Sequence, residues 1–482
     1  MSAKPNILLI TTDQQRFDAL ACAGNPDIYT PHLDWLADEG ITYRRAYADC
    51  PACIPSRATI MTGRPGYSTG LTTMSGDNKP MADNPTLPGV LTNAGYQTRA
   101  QGKMHFMPMR ANYGFEHMEL PFDYLQERQR YGAPGSLKAH GIGENEYIPA
   151  IDSVDDDQTF THWTVQRSVD FLETRDDTRP FFLWTSFGKP HPPFAPTANF
   201  WRLYQNKPVP DPVYGEWSQA RTAIPAGFIG PTYALNNTWD ASPAQRTDTK
   251  RAYYACVTQV DYQLGILFAR LREMELLQNT WIVFTSDHGE MMGDHHMFGK
   301  GIFLEGSAHI PMIIRAPSGP WDPEKPMAGK RVDTLVTLAD VMPTILSIAG
   351  VETPKSVDGS DMLSYVDSPD PDRPFYGNSG NRSFSIVDGS HKYLLSRWGG
   401  GELLFNLEAD PQERSNLSND TGWQERKAEL KKKLLEKMVS VASPGITNGE
   451  FDIQPVDELL DPTMGNRWPG FHSTTYPCDL LH

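Results

Sequence analysis

Short apolar runs that stop at a polar residue recur along this chain, and segments with helical spacing separate them. Residues 5–12 read as a buried strand, and Asp13 stands where that strand ends. Residues 31–40 (PHLDWLADEG) have apolar positions at helical spacing and a glycine stop. A helix is predicted from about Leu87 to Ala94, followed by Gly95-Tyr96 and a short strand ending near Lys103. Residues 159–174 have an amphipathic helical pattern and lead into the strand Phe181–Ser186. A long helix over about Arg251 to Met274 precedes the strand Trp281–Thr285 and then Ser286-Asp287-His288-Gly289. This alternation predicts an α/β fold, a large mixed and mostly parallel sheet sandwiched by helices. In such a fold functional groups gather beyond the carboxyl ends of the strands. Asp13, Lys103, His191 and Asp287 each follow an apolar strand-like run and are expected to converge there.

The pattern changes near Val366. Residues 367–374 (DSPDPDRP) read as a linker, and three short alternating stretches follow (SFSIVDG, KYLLSRW, ELLFNLE). A charged helix is predicted over about Gly422 to Val441. This unit reads as a smaller C-terminal antiparallel sheet plus helix. The expected division is a catalytic domain over 1–366, a C-terminal subdomain over 367–442 and a tail over 443–482. The tail lacks a periodic pattern, but Trp468, Phe471 and Tyr476 favour pinning to a neighbouring subunit, hence a homo-oligomer.

Composition narrows the function classes. With 482 residues, 39% hydrophobic and 21% charged, the chain suits a globular protein with a sizeable core. Its 40 prolines and 39 glycines imply many turns and ordered loops. The net charge is −16, and no Lys/Arg run marks a nucleic-acid or membrane partner. No signal peptide is seen before Ile7 and no apolar run would span a bilayer, so a cytoplasmic location is expected. Five scattered cysteines, Cys22, Cys50, Cys53, Cys256 and Cys478, make a poor disulfide framework. An anionic substrate would therefore need positive charge concentrated inside its site.

Two readings compete at Cys50-Pro-Ala-Cys53-Ile-Pro55-Ser56-Arg57. The C-x-x-C spacing fits a thiol–disulfide centre or half of a zinc site. No second ligand pair is spaced to complete a zinc site, and the surroundings are unlike a small thioredoxin-type unit. The other reading takes Cys53-x-Pro55-Ser56-Arg57 with Thr62-Gly63 downstream. That pattern resembles the signature of the type I, formylglycine-dependent sulfatases of the alkaline phosphatase superfamily. Similar segments run from residue 6 to about 417: 6–18, 30–47, Gly95 to His105, Lys189 to Phe194, Phe284 to Lys300, and Leu403 to Leu417.

The resemblance implies a sulfuric ester hydrolase acting on a small anionic sulfate ester of the aryl or sugar type. It implies that a maturation enzyme converts Cys53 to formylglycine. One divalent cation would be held by Asp13, Gln14, Asp287, His288 and the oxidised Cys53 side chain. Hard oxygen ligands at a strand end suit Ca²⁺ first. Gln14 and His288 stand where relatives commonly carry Asp and often Asn, and the imidazole admits Mn²⁺ beside Mg²⁺. By the same resemblance Lys103 binds a sulfate oxygen and His105 is the base that triggers sulfate release. His191 and Lys300 serve the leaving alcohol, and Arg57 holds the formylglycine. A hydrated aldehyde has two hydroxyls: one attacks sulfur, and deprotonation of the other expels sulfate. Phosphonate monoester or phosphodiester hydrolases share the Asp-Gln and Asp-His pairs but tend to replace the Lys/His pair with uncharged groups. Both Lys103 and His105 are present, which favours sulfate.

Overall fold

Asn6–Asp13 (β1) is buried along its whole length and lies inside an eight-stranded sheet. From edge to edge the strands are Lys330–Val332 (β10), Ile41–Tyr43 (β2), Met312–Arg315 (β9), Thr280–Ser286 (β7), β1, Phe181–Pro190 (β6), Gln97–Gly102 (β4) and His117–Glu119 (β5). Among the described residues β9 alone runs against the others, so the sheet is mixed and mostly parallel, as predicted. Val336–Thr337 (β11), Ala46–Tyr47 (β3) and His309–Ile310 (β8) form a separate three-stranded sheet. This computed structural model describes residues 4–74, 79–130, 145, 147–219, 223–225, 227–228, 242–318, 325, 327–380 and 382–456.

Successive strand side chains point to opposite faces, and β1 buries both. Ile7 and Leu9 pack with Ile54, Ile60 and Met61 of helix Cys53–Thr62 and with Met342 and Ile345 of helix Val341–Ile348. Leu8 and Ile10 pack with Leu33 and Leu36 of helix Pro31–Asp38, Val165 and Leu172 of helix Phe160–Thr174, and Leu264 and Leu267 of helix Pro243–Glu273. Two helical layers thus enclose the sheet. The long helix starts earlier than its apolar pattern, because Ser242 and Gln245 form a reciprocal capping box ahead of a polar first turn.

Phe375–Ser379 (β12), Ser383–Asp388 (β13), His391–Ser396 (β14) and Glu402–Asn406 (β15) form an antiparallel meander. One face packs Phe384, Ile386, Tyr393, Leu395 and Leu404 against Leu430, Leu434 and Met438 of helix Gln424–Ser440. The other face packs Val387, Leu394 and Phe405 with Trp217, Phe303 and Leu304 of the large unit. The stretch read as a linker is anchored: Arg373 donates to both carboxylate oxygens of Asp340 at 2.7 Å. Residues 443–456, read from sequence as the start of an unpatterned tail, fold back on this meander. Ile446–Thr447 (β16) and Glu450–Phe451 (β17) pair, and the Phe451 ring lies 5.0 Å from that of Phe384. The remainder of the tail, with Trp468, Phe471, Tyr476 and Cys478, lies outside the described residues. No described helix is long and apolar enough to cross a membrane.

Candidate active site

Four neighbouring strands, β7, β1, β6 and β4, end on one side of the sheet. Asp287 and His288 directly follow β7, Asp13 closes β1, His191 follows β6 and Lys103 follows β4. Cys53 is the first residue of a helix in which every residue from Cys53 to Thr62 is buried. Ser56 Oγ donates to the Cys50 carbonyl at 2.8 Å, which closes the turn ahead of the helix. Gly102 has φ 93°, and a Cβ there would stand 2.0 Å from the Ser186 carbonyl oxygen. That glycine lets the chain leave β4 tightly against β6 and sets where Lys103 emerges.

The Cys53 Sγ lies 3.2 Å from His288 Nε2, 3.2 Å from Lys300 Nζ and 3.7 Å from Asp13 Oδ1. The His105 and His191 side chains also hydrogen-bond the Cys53 side chain. Lys103 Nζ donates to Asp13 Oδ2 at 2.8 Å. Arg57 is fully buried and bridges the two carboxylates, reaching Asp13 Oδ2 at 3.2 Å and Asp287 Oδ2 at 3.0 Å. It also donates to Ser186 Oγ at 2.8 Å and to the Lys103 carbonyl. Lys300 Nζ donates to Gln14 Oε1 at 2.7 Å. All ten residues singled out from sequence therefore meet in one place.

Charge is dense here. Burial and Cys53 push the Asp13 carboxyl up, but Lys103, His191 and Lys300 hold it well below the usual carboxylate range. Burial and the neighbouring Asp13 push Asp287 up against the pull of His288 and Arg57. Burial would raise the Cys53 thiol, yet Lys300 and His288 bring it well below its ordinary value. Burial, Lys300 and Lys103 lower His191, whose Nδ1 lies 2.7 Å from the Pro192 carbonyl. His105 adopts φ 55°, and its Nδ1 is buried with no hydrogen-bond partner among the described residues.

One ligand atom from each of Asp13, Cys53, Asp287 and His288 lies within 4.8 Å of all the others. The second atoms are occupied: Asp13 Oδ2 by Lys103 and Arg57, Asp287 Oδ2 by Arg57, and His288 Nδ1 by the Gly289 carbonyl at 2.9 Å. Two carboxylate oxygens, an imidazole nitrogen and the Gln14 carbonyl oxygen form a donor set that fits a divalent cation. The Cys53 sulfur lies in the same group, where the resemblance would put the oxygens of an oxidised side chain.

Sequence reasoning missed three neighbours. Glu290, fully buried, accepts a short hydrogen bond from Gln14 Nε2. Tyr147 also hydrogen-bonds the Gln14 side chain. Arg382, from the turn between β12 and β13, donates to the Lys300 carbonyl at 2.7 Å. Glu290 stands one residue after Gly289 and could have been suspected from the motif, whereas Tyr147 and Arg382 lie in segments with no local pattern. Arg110, shortly after the Lys103–His105 segment, is itself exposed and pairs with half-buried Asp123.

The chain matches the family described as Sulfatase over residues 5–351, and the C-terminal part of N-sulphoglucosamine sulphohydrolase over 293–440. It is 34% identical to an arylsulfatase of Clostridium perfringens (strain 13 / Type A), covering 92% of this chain and 96% of that one. An N-acetylglucosamine-6-O-sulfatase of Bacteroides thetaiotaomicron is 26% identical over 90% of this chain and 86% of its own. The crystal structure of a phosphonate monoester hydrolase of Agrobacterium radiobacter superposes with a TM-score of 0.75 at 24% identity, covering 91% and 96% of the two chains. That likeness shows the fold. The family match over most of the chain, joined to a cysteine held among lysines, histidines and carboxylates at the strand ends, leads to one conclusion: this protein belongs to the sulfatase family of the alkaline phosphatase superfamily.

Proposed function

We propose that the protein hydrolyses a small aryl or sugar sulfate monoester with Cys53 carried as formylglycine and one divalent cation beside it. The observation that supports this most is the ring of cationic and imidazole groups around Cys53: Lys300, His288, His105 and His191 all reach its side chain. An acidic protein thereby holds a local anion trap, with Lys103 and Arg57 completing the positive side. Asp13, Gln14, Asp287 and His288 would hold the cation, Ca²⁺ first and Mn²⁺ or Mg²⁺ next. When bound, such a cation lowers the pKa of an attacking hydroxyl and offsets charge on the transferring group.

The chain's own side chains supply the rest. Lys103 and Lys300 draw the sulfate oxygens toward Cys53. His105 sits against the Cys53 side chain as the base for release, and its free Nδ1 faces no competing protein partner among the described residues. His191 and Lys300 both contact the Cys53 side chain, and they would supply the proton that the leaving alcohol needs. Arg57 locks Asp13 and Asp287 into one arrangement rather than touching substrate. We also propose that maturation requires a formylglycine-generating enzyme, that the protein works in the cytoplasm, and that the segment beyond residue 456 mediates self-association. Removing residues 457–482 should lower the number of subunits per particle in native mass measurements; an unchanged number would contradict that last point.

A phosphonate monoester hydrolase is the second reading, favoured by the Asp13-Gln14 and Asp287-His288 donors. The Lys103/His105 pair weighs for sulfate. Peptide mass analysis tests the shared premise: active protein should show the Cys53 peptide with the thiol-bearing carbon oxidised to an aldehyde. Activity from protein whose Cys53 is wholly a thiol would contradict it.

A further inference from the structure

Glu290 is fully buried beside Gln14. Its Oε1 accepts the backbone N–H of Met292 at 3.0 Å and that of Gly299, and its Oε2 accepts from Gln14 Nε2. On the far side of the same amide, Lys300 Nζ donates to Gln14 Oε1 at 2.7 Å. An ammonium only donates and a carboxylate only accepts, so these two partners admit one orientation of the amide. The carbonyl oxygen faces the site and the NH₂ faces away. A carbonyl oxygen has two lone pairs, so Oε1 keeps one for a cation while it accepts from Lys300. Gln14 is itself held by its backbone, since its N–H donates to Asp287 Oδ1 at 3.0 Å. Its φ is 74°, a conformation the surrounding bonds impose.

We propose that Glu290 is a positioning residue that fixes the Gln14 amide with its carbonyl oxygen toward Asp13, Asp287 and His288, and so makes Gln14 a cation ligand. This rests on the cation reading given above. An unfixed amide would turn its NH₂ toward the cation part of the time, and an NH₂ group repels a cation.

The substitution Glu290→Gln tests the orientation. The N–H groups of Met292 and Gly299 still need an acceptor, so the new amide turns its carbonyl to them and its NH₂ to Gln14. Gln14 must then turn its own carbonyl toward position 290 and its NH₂ toward the site. The double exchange Gln14→Glu/Glu290→Gln repairs this, because the new carboxylate accepts from the new amide with one oxygen and faces the site with the other. Ca²⁺ and Mn²⁺ are titrated calorimetrically into the full-length, chelator-stripped protein, with Tm measured in EDTA.

Glu290→Gln should raise the Ca²⁺ Kd by roughly 10–100-fold, the range for a residue that orients a metal ligand. The double exchange should return it to within about tenfold of wild type, the size of one such orienting contact. In a Gln14→Ala background Glu290→Gln should weaken binding no further. Wild-type affinity in Glu290→Gln, or a double exchange that binds no better than it, overturns the proposal. If the single variant does not fold, the double exchange decides: it should fold and bind Ca²⁺, and failure at either overturns the proposal. A wild-type protein that binds neither Ca²⁺ nor Mn²⁺ overturns the cation reading, and this inference falls with it.

Discussion

Cys53 has four nitrogen-bearing side chains against it, and three of them are also held by hydrogen bonds to other groups. His191 is tethered to the Pro192 carbonyl, His288 to that of Gly289, and Lys300 to Gln14. On the proposed reading, in which the oxidised Cys53 side chain is the nucleophile, Cys53→Ala should lower kcat by at least ~10³-fold. Cys53→Ser should fail equally, since a serine would be left as a stable sulfate ester. Steady-state turnover of a chromogenic sulfate checks both, and a serine variant within tenfold of wild type would sink the aldehyde. His105→Ala should reduce kcat by ~10²–10⁴-fold, the range for a general base, with a smaller change in KM. A rise in KM alone would make His105 a binding group.

At the scale of elements, the site exists because adjacent parallel strands stop together and one helix starts opposite them. Gly102 sits at such a stop, with its φ of 93° and no room for a Cβ beside the Ser186 carbonyl. Gly102→Ala should cost more than about 1 kcal/mol and displace Lys103, lowering both Tm and kcat/KM. A variant with unchanged Tm would show that the chain can relax there. Asp261 joins two elements, accepting the N–H groups of Leu33 at 2.8 Å and His32 at 3.2 Å from the long helix beneath. Burial raises its pKa to about 7. The folded protein therefore binds more protons than the unfolded chain as pH rises from the ordinary carboxyl value toward 7. Stability from this group falls through that window. Asp261→Asn stays neutral, so its Tm relative to wild type should climb between pH 5 and pH 8; a constant difference would refute the assignment. Strands with unbroken apolar runs, such as Ile7 to Ile10, were legible in the sequence, as was the convergence of the polar residues that end them. The helix Cys53–Thr62 was not, because it is buried on all sides and has no polar face to give a period. Strand β12, Phe375 to Ser379, was hidden by polar residues that are buried through hydrogen bonds. Asn378, for example, donates to Ser443 Oγ and the Pro444 carbonyl at 2.8 Å.

The whole molecule is one large α/β unit with the C-terminal meander pressed against it, and that contact carries charge as well as apolar surface. Lys392 of β14 is buried between Glu305 of the large unit and Glu413, and it donates to Glu413 at 2.9 Å. Lys392→Ala would leave two buried carboxylates facing each other. It should cost about 3–5 kcal/mol, read as a lower Tm or denaturant midpoint. A loss under about 1 kcal/mol would mean that water or a proton replaces the lysine readily. Across the interface the meander also brings Arg382 to the carbonyl of Lys300, so both units shape the site. The central claim is a sulfate-cleaving centre built on Cys53. It is tested most directly by offering p-nitrophenyl sulfate and a p-nitrophenyl phosphonate monoester at equal concentration, with Cys53→Ala as the blank. The account predicts faster release from the sulfate, lost in the variant. Faster release from the phosphonate would contradict it, keeping the fold and the nucleophile while assigning Lys103 and His105 to a different reaction.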